Sequence, residues 1–134
     1  MQKIEGFPDF EKRSGLLVAI IQDVATKEVL MHGSMNRAAL WLTLHTKTVW
    51  LWSTSRQEMW HKGATSDSVM EVVWIKHDCD GDAILVGVKV AGTGHACHKN
   101  RVSCFDNVVE CDKVPDRLIF DDIDFTPKGG ASHV

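Results

Sequence analysis

Apolar positions in this chain gather into short blocks separated by polar turns, a pattern that predicts strands more than helices. "GLLVAIIQD" is an almost continuous apolar run and reads as a buried strand. "VATKE" is a turn, and "VLMHG" returns as a second strand. Asn36 is placed to cap a helix over 37–45, with Ala38, Leu42 and either Trp41 or His45 on one face. "TVWLW" is rich in strand formers and gives a third strand. "STSRQEMWHKGATSDS" is polar and irregular and reads as a long loop of the kind that carries function. "VMEVVWIKHD" and "AILVGVKV" are a fourth and fifth strand. Asp80-Gly81 between them predicts a two-residue hairpin turn, whose central positions both need positive φ. A loop over 92–104 follows, then a last short strand over 107–111, and a frayed tail, "TPKGGASHV". The blocks describe mostly antiparallel β structure with one clear helix.

The 134 residues suffice for one domain with a modest core, and no repeat, low-complexity tract or boundary divides them. A net charge of −3 without a basic block speaks against nucleic acid as a partner. Cations scattered singly suit small anionic ligands better than a polymer. No apolar run approaches the ~20 residues of a membrane span, and the polar start "MQKIEGFPDFEKRSG" has no signal-peptide core. The expected compartment is the cytoplasm, where thiols stay reduced. The four cysteines are then candidates for metal ligation, catalysis or the core rather than disulfides. Three of the five tryptophans fall within 50–60, which suggests an aromatic-walled pocket or a large core.

Three stretches carry candidate chemistry. In "GHACHKNRVSC", Cys97 and Cys104 are separated by six residues, with His95 and His98 close by, and thiolate and imidazole are zinc's preferred ligands. Adding Cys79 makes a three-thiolate set conceivable, with a position left open as in catalytic zinc sites. Cys111 reads as a small buried hydrophobe. In "DCDGD", Asp78, Asp80 and Asp82 are either an acidic hairpin tip or oxygen ligands for a hard cation such as magnesium. The polar loop offers Ser53, Ser55, Arg56, His61, Lys62, Thr65 and Ser66, the hydroxyls and cations that a phosphate monoester needs. The bland alternative is a solvated loop.

"LMHGSMNRAAL", "STSRQEMWHKGATS", "DCDGDAILVGV" and "ACHKNRVSCF", taken in order and spacing, resemble the phosphoribosyl-AMP cyclohydrolase family of histidine biosynthesis. The resemblance covers roughly 15–105 and leaves an extension over 106–134 without a counterpart. It implies an α+β fold that is mainly β: a mixed, largely antiparallel, five-stranded folded sheet in an intertwined homodimer. It further implies zinc held by Cys79 of one chain with Cys97 and Cys104 of the other, and magnesium at Asp78, Asp80 and Asp82. The implied substrate is 1-(5-phosphoribosyl)-AMP, whose adenine ring is opened by water at the N1–C6 bond. His98 and His61 are candidates for the general base, and Arg101 for a second phosphate anchor beside the polar loop. The chain departs from the usual family pattern at Gly33 and Ser34, where a bulky apolar-aromatic pair is common. It departs again at Asp67-Ser68 and at His95. These bear on pocket shape and substrate preference. Competing readings are a related cyclohydrolase with a shifted purine-nucleotide substrate, a zinc-stabilised binding module with four closed ligands, and a thiol-redox protein. The last lacks a Cys-x-x-Cys and leaves "DCDGD" unexplained.

Overall fold

The computed structural model describes residues 7–63, 68–90 and 102–112. Six strands form one mixed sheet: β1 (Leu17–Asp23), β2 (Val29–Met35), β3 (Trp50–Ser53), β4 (Glu58–His61), β5 (Met70–His77) and β6 (Ala83–Val90), in the order β4-β3-β2-β1-β6-β5. Every neighbouring pair is antiparallel except β1 with β6. The helix α1 (Arg37–Thr46) follows β2.

Alternation decides which residues enter the core. Leu17, Ala19 and Ile21 of β1 are buried, and their cross-strand neighbours Met31, Met35, Ile84 and Val86 join them. Each large side chain buried in this way contributes about 1.5–3 kcal/mol relative to exposure. The opposite face carries Val18 and Ile20, paired with Ser34 and His32 of β2 and with Ala83 and Leu85 of β6. Gly87 is required by a close approach: a Cβ there would stand 2.4 Å from the Trp74 indole that lies over it. Among the described residues, no helix is long and apolar enough to cross a membrane.

Several expectations need correction. The sheet has six strands rather than five, because β4 forms within the stretch read as a loop; Trp50, Leu51, Trp52 and Ser53 pair with His61, Trp60, Met59 and Glu58. Period-two patterning was hidden there by the turn residues 54–57, where Gln57 takes a φ of +53°. Residues 107–111 form no strand, and Cys111 is exposed rather than buried. Asn36 caps α1 as expected, accepting from Ala39 N–H at 2.8 Å. The buried helix face, however, is Ala39, Leu40 and Thr43, while Trp41 is 60% exposed. A hydroxyl directs this choice. Thr43 Oγ1 accepts from Trp50 N–H at 3.0 Å and lies 2.8 Å from the Ala39 carbonyl, so the helix packs through a polar contact that apolar periodicity does not register. Trp41 instead stacks on His45 on the outer face.

Candidate active site

The connection from β5 to β6 occupies the whole of 78–82 rather than two turn residues. Only Gly81 within it has positive φ, at +74°. The Asp78 carboxylate is the cause: it accepts from Asp82 N–H at 3.2 Å and Ala83 N–H at 3.3 Å, which stabilises a longer, Asx-type loop. Desolvation is the largest influence on the Asp78 carboxyl and pushes it up. Hydrogen bonds from the Ala83, Asp82 and Gly81 N–H groups, with the coupling to the Asp82 carboxyl, outweigh it and hold Asp78 below its ordinary value.

This loop brings Asp78, Asp80 and Asp82 together, with one carboxylate oxygen from each within 4.8 Å of the others. Asp82 is buried and Asp78 and Asp80 are exposed. The N-terminal segment braces the loop from outside. Asp9 N–H donates to the Gly81 carbonyl at 2.8 Å, Arg13 Nε to Asp82 Oδ2 at 3.2 Å, and Lys12 Nζ to the Asp80 carbonyl at 3.1 Å. Neither cation was singled out from the sequence, since nothing local in "FEKRSG" announces contact with residues almost seventy positions away.

Two of the three proposed thiolate ligands are described, and they lie apart. Cys79 belongs to the loop at the end of the sheet where Val18 pairs with Ala83 and Ser34. Cys104 is tied to the other end, its N–H donating to Leu30 O at 2.7 Å. Ser103 reinforces the attachment with its hydroxyl on Val29 O at 2.7 Å. Leu30 lies between the partners of Ile21 and Gln22, so three to four residues of strand separate the two levels. At ~3.3 Å per residue that is at least about 10 Å within one chain. Both cysteines are exposed. Cys97, His98, His95 and Arg101 lie outside the described residues, as do Thr65, Ser66 and Asp67.

The polar loop residues meet a cavity of about 340 Å³ between β2, β3 and the 54–57 turn. Ser53, Ser55, Arg56, His32 and Ser34 line it, with Trp52 and Trp60 as walls. Ser53 Oγ accepts from Arg56 N–H at 3.2 Å, which shapes the turn. The Arg56 side chain stands 3.6 Å from Glu58, with both side chains more than half exposed, a pairing too solvated to hold the guanidinium in place. Lys62 is buried with its ammonium 5.2 Å from the Trp60 ring centre. His61 stacks on Trp50 at 4.2 Å and its Nε2 lies 3.0 Å from Thr48 Oγ1. Neither Lys62 nor His61 lines this cavity. Trp52 and Trp60 give the cavity the aromatic walls that the 50–60 tryptophans suggest, whereas His32 and Ser34 were not expected to line it; their signal is the alternation of β2, which puts the two on one face.

Comparison with known proteins gives a consistent result. The family model described as phosphoribosyl-AMP cyclohydrolase matches residues 31–106. A phosphoribosyl-AMP cyclohydrolase of Lactiplantibacillus plantarum is 48% identical over 106 residues, 79% of this chain and 96% of the relative. One from Clostridium botulinum is 49% identical over 105 residues, 78% of this chain and 94% of the relative. One from Desulfatibacillum aliphaticivorans is 51% identical over 106 residues, 79% of this chain and 84% of the relative. The matched span contains the acidic loop, the polar cavity and Cys104, and the chain belongs to the phosphoribosyl-AMP cyclohydrolase family.

Proposed function

We propose that this chain is a zinc- and magnesium-dependent hydrolase that opens the adenine ring of 1-(5-phosphoribosyl)-AMP at the N1–C6 bond. It works as a cytoplasmic homodimer of single-domain chains, each with a core over about 15–105 and an extension over 106–134. Membership of the family makes the chain an enzyme, a hydrolase of histidine biosynthesis. The observation that carries the finer reading is the loop 78–82, which clusters three carboxylates and carries an exposed thiol within the same five residues. Hard oxygen donors at this spacing fit magnesium, and Asp78, Asp80 and Asp82 would hold it. Cys79 faces out of the same loop and fits zinc, with Cys97 and Cys104 of a second chain completing the set. When bound, zinc supplies hydroxide at neutral pH by acidifying water.

The chain's own residues do the rest. C6 of an N1-alkylated adenine is already electron-poor, so the protein's task is to orient the ring, hold its phosphates and move one proton. His98 and His61 are the candidates for the proton transfer. The Thr48 contact and the Trp50 stack fix the His61 ring in one orientation. Ser53, Ser55 and Arg56 form one phosphate anchor, Lys62, Thr65 and Ser66, beyond β4 in sequence, are further candidates for it, and Arg101 serves the other. Arg56→Ala should raise KM for phosphoribosyl-AMP about tenfold or more, the value of a charge-assisted hydrogen bond, with little change in kcat. An unchanged KM returns the 54–57 turn to plain solvated surface. The activity itself is tested by the ultraviolet spectrum of metal-replete protein mixed with phosphoribosyl-AMP. Ring opening should change the adenine chromophore and add one water to the substrate's mass; an unchanged spectrum rejects the proposal.

A further inference from the structure

We infer that His32 is a further substrate-binding residue, and that the cavity it shares with Arg56 takes the phosphoribosyl group carried on N1 of the substrate. This rests on the cyclohydrolase reading above and specifies which end of the substrate goes where. His32 stands in "LMHGSMNRAAL", beside the Gly33 and Ser34 at which the chain departs from the usual family pattern, and its place in the fold gives it a role.

Register puts His32 on the face of β2 that it shares with Ser34 and, across the strand pair, with Ile20 and Val18. There it lines the same cavity as Arg56, so an imidazole and a guanidinium border one space with the hydroxyls of Ser34, Ser53 and Ser55. Such a donor set suits a phosphate monoester and the hydroxyls of a ribose. At about 340 Å³ the cavity is at the small end of ligand sites. It matches one phosphoribosyl group and leaves the purine and the second phosphoribosyl group outside.

The choice between the two groups follows from Cys104. This proposed zinc ligand is attached to β2 at Leu30, two residues from His32, or roughly 7 Å along the strand. The Phe105 ring, next in sequence, lies 5.9 Å from the His32 ring. The cavity therefore borders the place where the reacting carbon must come. Of the two phosphoribosyl groups, the one on N1 is bonded to the atom next to C6, whereas the one on N9 leaves from the far side of the purine. A group anchored beside the reacting carbon is the N1 group.

The test uses the full-length, metal-loaded protein. His32 is exposed, so His32→Ala should fold normally. Expected results are a KM for phosphoribosyl-AMP raised about tenfold with kcat within twofold of wild type, and partial recovery in His32→Gln, which keeps a donor. Trp52 and Trp60 line the cavity, so tryptophan fluorescence can report binding directly. Ribose 5-phosphate should bind His32→Ala about tenfold more weakly than wild type. 1-Methyl-AMP, which has only the N9 phosphoribosyl group, should bind both proteins equally. An unchanged KM, or a loss confined to kcat, overturns the role of His32. Equal weakening for 1-methyl-AMP overturns the N1 assignment. Wild-type protein inert towards phosphoribosyl-AMP would overturn the underlying function and this inference together, a result distinct from an active enzyme indifferent to residue 32.

Discussion

Asp80→Asn should lose activity by at least tenfold while its zinc content stays near that of the wild type. The three carboxylates of the loop are not equivalent. Asp78 Oδ1 is engaged by two backbone N–H groups, and Asp82 Oδ2 by Arg13. Among the described residues, Asp80 is held only by Lys12, at 3.9 Å, and the Lys12 and Asp80 side chains are 44% and 65% exposed. It can therefore turn to a cation at little cost in protein contacts, and its loss should fall on the magnesium site. Fold should be spared, since among the described residues no hydrogen bond of the loop's backbone runs through that side chain. The measurement is zinc by metal analysis beside a magnesium titration of activity. Stoichiometric loss of zinc in this variant would show that the loop does not divide its thiol and its carboxylates between two metals.

Cys79→Ser and Cys104→Ser should each lose both zinc and activity, the latter by a thousandfold or more. A hydroxyl is a poor substitute for a thiolate on zinc, and the reaction depends on hydroxide generated at neutral pH. Neither cysteine supports the core, for both are exposed. Cys104 has its backbone fixed by the Leu30 carbonyl and Ser103 by the Val29 carbonyl, so the segment should stay attached when the thiol is changed. Unaltered thermal stability of the metal-free proteins, with zinc binding gone, is the expected pair of results. Zinc retained at one per chain in either variant would remove that cysteine from the ligand set.

How far the sequence could be read depended on how far apart the interacting residues lie. β1, β5 and β6 were legible because their apolar blocks are long and bounded by turns, and the Asn36 cap was legible because its partner is three residues away. β4 was not, because four residues between two turns carry too little periodicity to separate from loop. The helix face was misread because Thr43, a polar residue, holds the inner position through bonds to β3. At the site, "DCDGD" was legible as a cluster, but its turn was not: Asp78 accepts from its own loop and lengthens it. The cavity was half legible. Ser53, Ser55 and Arg56 are contiguous, whereas His32 and Ser34 reach them only through the pairing of β2 with β3. Arg13 and Lys12 on the acidic loop are long-range contacts of the same kind.

We propose that each active centre is assembled from two chains, because Cys79 and Cys104 are held at opposite ends of one sheet. A two-fold partner would bring its 78–82 loop to the Cys104 end of this chain. Cys79→Ser and Cys97→Ser proteins test this together. In a mixed dimer both defects fall in one site, and the other receives a normal Cys79 from one chain and normal Cys97 and Cys104 from the other. The two inactive proteins, unfolded, combined in equal amounts and refolded with zinc, should form about half mixed dimers and regain about a quarter of the wild-type activity. A mixture that stays inactive, beside a wild-type control that refolds well, would contradict a site shared between chains.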